Sequence, residues 1–80
     1  MYNIPWSKPV HLEFSRRSTR IIDGPVAALA LLDRDWPVRS GRHYDAAKAM
    51  CEAAQARLTS AEAAREIFIS ASIEAAVPIR

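Results

Sequence analysis

The sequence predicts an α+β domain in which a two- or three-stranded antiparallel sheet is packed on one face by three helices, in the order ββααα. Two patterns carry this prediction: a strict apolar–polar alternation at 10–14 before a β-branched run at 19–22, and three apolar stripes of helical spacing after residue 25. The chain of 80 residues has room for one domain. We therefore divide it into an N-terminal arm, 1–8, and a single α+β domain, 9–80.

The predicted hairpin begins at Val10. Because apolar residues alternate with polar ones from Val10 to Phe14, one face of this strand is expected to be buried and the other solvated. Residues 15–18 supply a polar reversal, and Thr19 to Ile22 have the β-branched content of a second strand. The two strands are therefore expected to pair in an antiparallel hairpin.

The helix boundaries follow from residues that cap or break helices. Asp23 or Gly24 can cap the first helix, which Pro37 ends. The second is expected from about His43 to about Leu58, and the third after Ser60. Their inner stripes are predicted to be Ala28, Leu29, Leu32 and Trp36; Tyr44, Ala47, Cys51, Ala54 and Leu58; and Ala64, Ile67, Phe68, Ala71 and Ala75. Val77-Pro78-Ile79 can form at most a short edge strand, because proline lacks the N–H that a ladder needs.

Several short motifs occur together in an order that resembles a known family. They are Trp6-Ser-Lys-Pro9-Val10, Ala28-Leu29 with Leu32 and Trp36, Tyr44 with Ala47 and Cys51, and Ala63-Ala64-Arg65 with Phe68-Ile69, Ala71 and Glu74-Ala75. In this order they resemble the small bacterial domain-of-unknown-function family nine-eight-two, from Trp6 to Ile79. The resemblance implies a stand-alone domain with a small sheet and packed helices. It implies no activity, cofactor or partner.

Composition narrows the class of protein. Half of the residues are apolar and a quarter are charged, as in ordinary globular domains. The longest apolar run, 25–32, is too short to span a membrane, and Lys8 with its neighbouring prolines does not fit a leader peptide. We expect a cytoplasmic protein that does not contact a membrane. Because Cys51 is the single cysteine, no internal disulfide can form.

No set of residues predicts catalysis. Cys51 lies on an inner helical stripe, which favours a packed thiol over a nucleophile, and His43 is expected to be a hydrogen-bonded or solvated residue at a helix start. His11 and Glu13 share one side of the first strand, but a third metal ligand is missing. The two glycines cannot build a phosphate-binding loop. The sequence therefore predicts no enzyme, no cofactor and no metal site, although an enzyme using His43 and Cys51 in one cleft is the third hypothesis.

The leading functional hypothesis comes from Ile21 and Ile22. Neighbours on a strand point to opposite faces, so helices on one face leave one isoleucine uncovered. Either Ile4 and Trp6 of the arm cover it, or another copy or another protein does. We therefore predict a self-associating or protein-binding module whose candidate residues on the hairpin are Ile21, Ile22 and His11.

The alternative hypothesis is phosphate or nucleic-acid binding through arginines. Residues 1–43 carry seven basic and four acidic side chains, a net charge of +3, whereas 44–80 carry four and five, a net charge of −1. The candidates are Arg16, Arg17 and Arg20 at the hairpin reversal, and Arg39 and Arg42 before the second helix. If both loops lie at the same end, their guanidinium groups could grip phosphates. The small overall charge and the lack of a nucleic-acid-binding motif make this the weaker hypothesis.

Overall fold

The computed structural model describes residues 4–15 and 18–79 and confirms the predicted α+β fold with the order ββααα. Its elements are β1 Val10–Ser15, β2 Ser18–Ile22, α1 Pro25–Arg34, α2 Arg42–Gln55 and α3 Ala61–Glu74. Within the described ranges, none of the helices combines the length and apolar character needed to cross a bilayer. Buried residues of the three helices and the hairpin form one hydrophobic core.

The sheet is an antiparallel hairpin of β1 and β2. Val10 lies opposite Ile22 and Leu12 opposite Arg20, with an irregularity in the pairing between Glu13 and Ser15. On the other side of β1, the C-terminal segment adds a single antiparallel bridge from Ile79 to Leu12. The N–H of Glu13 donates to the carbonyl of Pro78 at 2.9 Å. The predicted C-terminal edge strand is thus reduced to one bridge in the described residues.

The helix ends follow the predicted capping residues. Gly24 precedes α1 and Pro25 occupies its first turn, where the missing proline N–H costs no hydrogen bond. The Ser60 hydroxyl caps α3 by accepting the N–H of Ala63 at 3.0 Å. Both boundaries were visible in the sequence because they depend on local chemistry.

The inner stripe of α2 does not extend to Leu58 as predicted. The helix ends at Gln55, three residues earlier than expected, and Arg57 adopts a left-handed backbone with φ of 60°. This reversal turns the chain away from the core, and Leu58 is 81% exposed. The placement of Leu58 on the inner stripe was therefore wrong, because a local backbone reversal overrode the helical spacing.

Small side chains allow the helices to approach one another closely. α2 packs most extensively against α3, and α1 also packs against α2. Alanines on the inner sides of the helices are almost completely buried: Ala28, Ala47, Ala54, Ala64 and Ala71. Because alanine fills little volume, the large core residues must come from elsewhere.

An aromatic row fills the space between the helices and the inner face of the hairpin. Phe68 of α3 is fully buried, and its ring centroid lies 5.6 Å from those of both Trp6 and Trp36. Phe14 of β1 extends the row, with its edge-to-face ring 6.2 Å from Trp36. Phe68 therefore links the N-terminal segment and the segment after α1 to α3.

One of the two alternatives predicts that Ile4 and Trp6 of the arm cover the outer isoleucine, but Trp6 packs in the core instead. Its backbone N–H donates to the carbonyl of Asp23 at 2.7 Å, and its side chain is 4% exposed in the core beside Phe68. Trp6 therefore does not shield the outer isoleucine, Ile21.

Both indole N–H groups are buried without a hydrogen-bond acceptor among the residues described here. An unpaired buried donor costs about 1–3 kcal/mol. The rings of Trp6 and Trp36 flank Phe68 closely, so aromatic contact offsets part of this cost. The two tryptophans are placed by their shape rather than by their polar atoms.

Replacing Phe68 should test the aromatic row. Phe68→Ala is expected to lower the free energy of unfolding by about 3–5 kcal/mol, because it leaves a cavity between two tryptophans. Ile73→Ala on the same helix is the control, since Ile73 is 70% exposed and should change stability by less than about 0.5 kcal/mol. Urea denaturation followed by circular dichroism measures both, and equal losses would contradict the central position of Phe68.

Candidate functional site

The hairpin has one covered face and one open face. Ile22 is 4% exposed beneath the helices, together with its partner Val10 at 2%. Ile21 points the opposite way and is 61% exposed, directly across from the exposed His11. We call the side formed by His11, Glu13, Thr19 and Ile21 the outer face. The predicted split of the two isoleucines is confirmed, and Ile22 is buried too deeply to meet a partner.

Two of the candidate arginines are engaged within the chain near the end of α1. The Arg20 guanidinium lies 3.5 Å from the Asp35 carboxylate, and both side chains are about half exposed. The Arg39 guanidinium donates to the carbonyl of Arg34 at 2.8 Å, close to the C-terminal end of α1, where a positive charge is favourable. The hairpin and the loop before α2 thus meet around residues 34 and 35.

The remaining arginines do not complete a described patch. Arg42 is exposed at the first position of α2. Arg16 and Arg17 lie outside the described residues. Arg20 and Arg39 both contact the end of α1, at Asp35 and Arg34, and the gathering of all five arginines stays a prediction.

A carboxylate from α3 caps α2. Gly41 precedes α2 and has no side chain that could accept a hydrogen bond from the first N–H groups of this helix. Glu74, the last residue of α3, supplies that acceptor: His43 N–H donates to Glu74 Oε2 at 3.0 Å, and Tyr44 N–H donates to Oε1 at 3.4 Å. His43 Nδ1 lies 2.7 Å from the same Oε2. The end of α3 is thereby tied to the beginning of α2.

The geometry around this cap requires glycine and favours the ionised carboxylate. Gly41 has φ of 122°, and a Cβ there would collide with the Glu74 carboxylate. The backbone N–H of His43, followed by its imidazole, holds the pKa of Glu74 below its usual value. A negative charge at a helix N-terminus is also favourable.

An open depression adjoins the cap. It is lined by His43, Ser70, Ile73 and Glu74 and has a volume of about 370 Å³. The Ser70 hydroxyl donates to the carbonyl of Glu66 at 3.2 Å, and Ile73 is largely exposed at the rim. His43 and Glu74 in its lining take part in the capping interaction, and Ser70 bonds to its own helix.

Cys51 is enclosed in the core and has no exposed surface. Burial raises the pKa of its thiol to about 12, which favours the protonated thiol over the thiolate that a nucleophile needs. Among the described residues, no group of three or more His, Cys, Asp or Glu side chains is arranged to hold a metal ion. The hypothesis of an enzyme that uses Cys51 therefore loses its nucleophile.

Comparison with known families assigns the chain to a protein family. The model of the family described as Protein of unknown function (DUF982) matches residues 8–79. The chain belongs to this family. No curated protein and no solved structure matches it. The resemblance seen in the sequence is thus confirmed over nearly the whole chain.

The cap by Glu74 is the feature of this DUF982 domain that sequence reasoning missed. Two local signals pointed to it: Gly41 offers α2 no capping side chain, and Glu74 places a negative charge where the dipole of its own helix disfavours one. Joining these signals required knowing that the C-terminal end of α3 lies beside the N-terminal end of α2. That proximity is a tertiary fact.

Neutralising Glu74 should change how stability depends on pH. Because the folded pKa lies below the unfolded value of about 4.5, the contribution of the carboxylate is complete above that value and is lost as pH falls through the folded pKa. The stability difference between the wild type and Glu74→Gln should therefore stay constant near neutrality and shrink in acid. Thermal unfolding between neutrality and pH 3 measures it.

Glu66→Gln is the matched control, on an exposed position of the same helix. It should lack the pH-dependent difference shown by Glu74→Gln. A difference of equal size and pH dependence in both variants would contradict the capping role of Glu74.

Proposed function

We propose that this DUF982 domain is a non-catalytic interaction module that self-associates through its hairpin. The observation that carries the proposal is the exposure of Ile21, 61%, on a sheet face opposite to the helices. A β-branched residue fits a pleated surface best when a neighbour covers it. A second copy of the chain would supply that neighbour.

The environment of Ile21 supports a contact surface at this position. Ile21 lies beside His11 across the strand pair, and the outer face also carries Thr19. The arm cannot bury Ile21 with Trp6, because Trp6 is committed to the core. Ile21 is therefore left 61% exposed among the described residues, which supports a second copy as the neighbour that covers it.

The size of the domain also favours self-association. A chain of 80 residues buries a smaller fraction of its surface than a larger domain, and binding that selects the folded state adds stability. The sheet has two strands and one added bridge, close to the minimum for independent stability. Association at the hairpin would extend the weakest layer of the fold.

Sedimentation equilibrium of the wild type and Ile21→Thr tests the proposal. The wild type should shift from monomer to dimer as its concentration rises. Threonine keeps the β-branched shape but loses apolar area from both copies, so the Kd should rise by roughly 10- to 100-fold, which corresponds to about 1.4–2.7 kcal/mol.

Leu58→Thr is the control for Ile21→Thr, because Leu58 is even more exposed but lies in the loop after α2. It should leave the Kd unchanged. A wild type that stays monomeric at all concentrations would overturn the proposal, as would equal effects of the two substitutions.

Phosphate or nucleic-acid binding stays a prediction from the sequence. Its specific form is that affinity for a short DNA duplex falls steeply with salt and drops when Arg16, Arg17 and Arg42 are replaced. Fluorescence anisotropy at low and high salt measures this. Binding that is absent or independent of salt would contradict it.

A further inference from the structure

The directions of the backbone groups in the hairpin identify the edge of β2 that no other strand of the described residues pairs with. The N–H of Glu13 donates to Pro78 and so points away from β2. The N–H and C=O groups of successive strand residues alternate in direction. The preceding residue, Leu12, therefore points towards β2 and exchanges both of its backbone hydrogen bonds with Arg20. Arg20 therefore faces β1, and its neighbours Thr19 and Ile21 turn their N–H and C=O groups to the far edge.

An independent contact supports this assignment. Asp23 has the same parity as Ile21, so its carbonyl should also face the far edge. It accepts the N–H of Trp6 at 2.7 Å, from a segment that is not part of β1. The arm thus occupies the edge at Asp23. Among the described residues, no strand pairs with β2 on the edge at Thr19 and Ile21.

We infer that β2 of a second copy pairs antiparallel with this edge, with Arg20 on the twofold axis. The inference rests on the proposed self-association and specifies its geometry. Thr19 of each copy lies opposite Ile21 of the other, and each such pair exchanges both of its N–H···O bonds. The two hairpins then join into one continuous sheet.

The hydrogen bond between Trp6 and Asp23 disfavours the register displaced towards Asp23. With Arg20 on the axis, Ser18–Ile22 of one copy spans Ile22–Ser18 of the other and ends before Asp23. Moving the axis to Ile21 would place Thr19 of the second copy opposite Asp23, whose carbonyl already accepts Trp6. The register centred on Arg20 therefore pairs the outward-facing backbone groups of Thr19 and Ile21 and stops short of the hydrogen bond between Trp6 and Asp23.

The charges beside the axis are self-complementary. Arg20 and Asp35 lie 3.5 Å apart, and both are about half exposed. A twofold axis through Arg20 brings two arginines together, which alone would be unfavourable. The two Asp35 carboxylates accompany them, so the four charges can alternate in sign across the interface. An isologous contact needs a patch of this kind, which complements itself.

The outer face also gains contacts in this arrangement. Ile21 packs directly beside Thr19 of the second copy, which makes a β-branched cross-strand pair. The two Ile21 side chains become diagonal neighbours, roughly 7–8 Å apart, within reach of each other. The exposed isoleucine therefore acquires neighbours on both sides: His11 of its own chain and Thr19 of the other.

Single cysteine substitutions test the register. Residues at the axis form a pair with Cα atoms about 4.5 Å apart, within the range for a disulfide, whereas the diagonal positions are roughly 7–8 Å apart and outside it. Arg20→Cys should therefore oxidise to a covalent dimer at least about tenfold faster than Ile21→Cys. Wild type, with its enclosed Cys51, and Leu58→Cys are the controls and should stay uncrosslinked.

Amide hydrogen exchange of the unmodified chain gives a second measurement. The N–H groups of Thr19 and Ile21 should exchange at least about tenfold more slowly when the dimer dominates than after dilution. The N–H of Arg20 donates within the hairpin in either state, so its exchange should change much less. This comparison does not depend on the stability of any variant.

The outcomes separate this inference from the proposed function. If the wild type dimerises but Ile21→Cys crosslinks as fast as Arg20→Cys, or the Thr19 and Ile21 amides show no concentration-dependent protection, edge pairing centred on Arg20 is wrong and self-association stands. If the wild type stays monomeric, both fall. Faster crosslinking at Arg20 together with selective protection supports both.

Discussion

The two-residue period of the hairpin is the constraint on which the rest of the structure depends. Burying Val10, Leu12 and Ile22 under the helices fixes which side of each strand faces the core, and a shift by one residue would reverse every side chain. Ile21 must then face outward. Its exposure is a consequence of the same packing that stabilises the fold, rather than a separate feature added to it.

The core is formed by two kinds of contact, close packing between helices and packing of aromatic rings. Alanines permit close contact between α2 and α3, where a large residue would hold the helices apart. Phe68, Trp6 and Trp36 fill the wider space towards the sheet. Glu74 adds hydrogen bonds between the end of α3 and the start of α2. These bonds fix the relative position of the two helices, which contacts between small alanine side chains leave loosely defined.

Much of the fold could be predicted because its signals are local. The alternation at 10–14 predicts a strand, and Pro25 and Ser60 predict the starts of two helices. Each signal involves only a few neighbouring residues, and the structure agrees with all three. The position of Leu58 depends on where the backbone reverses after α2, and the position of Trp6 depends on the side to which the N-terminal segment folds back. The spacing of apolar residues encodes neither. For the candidate site, the opposite placement of the two isoleucines was predictable from strand geometry. The outward-facing backbone groups of β2 and the hydrogen bonds of Glu74 to the start of α2 required knowledge of the tertiary structure.

The enclosure of both tryptophans has a spectroscopic consequence. Trp6 precedes the hairpin, Trp36 follows α1, and both rings rest on Phe68 of α3. Their intrinsic fluorescence therefore monitors one shared environment built from three distant stretches of chain. Loosening any of these stretches should let water reach an indole and shift its emission to longer wavelength, so a single optical signal reports on the integrity of the whole core.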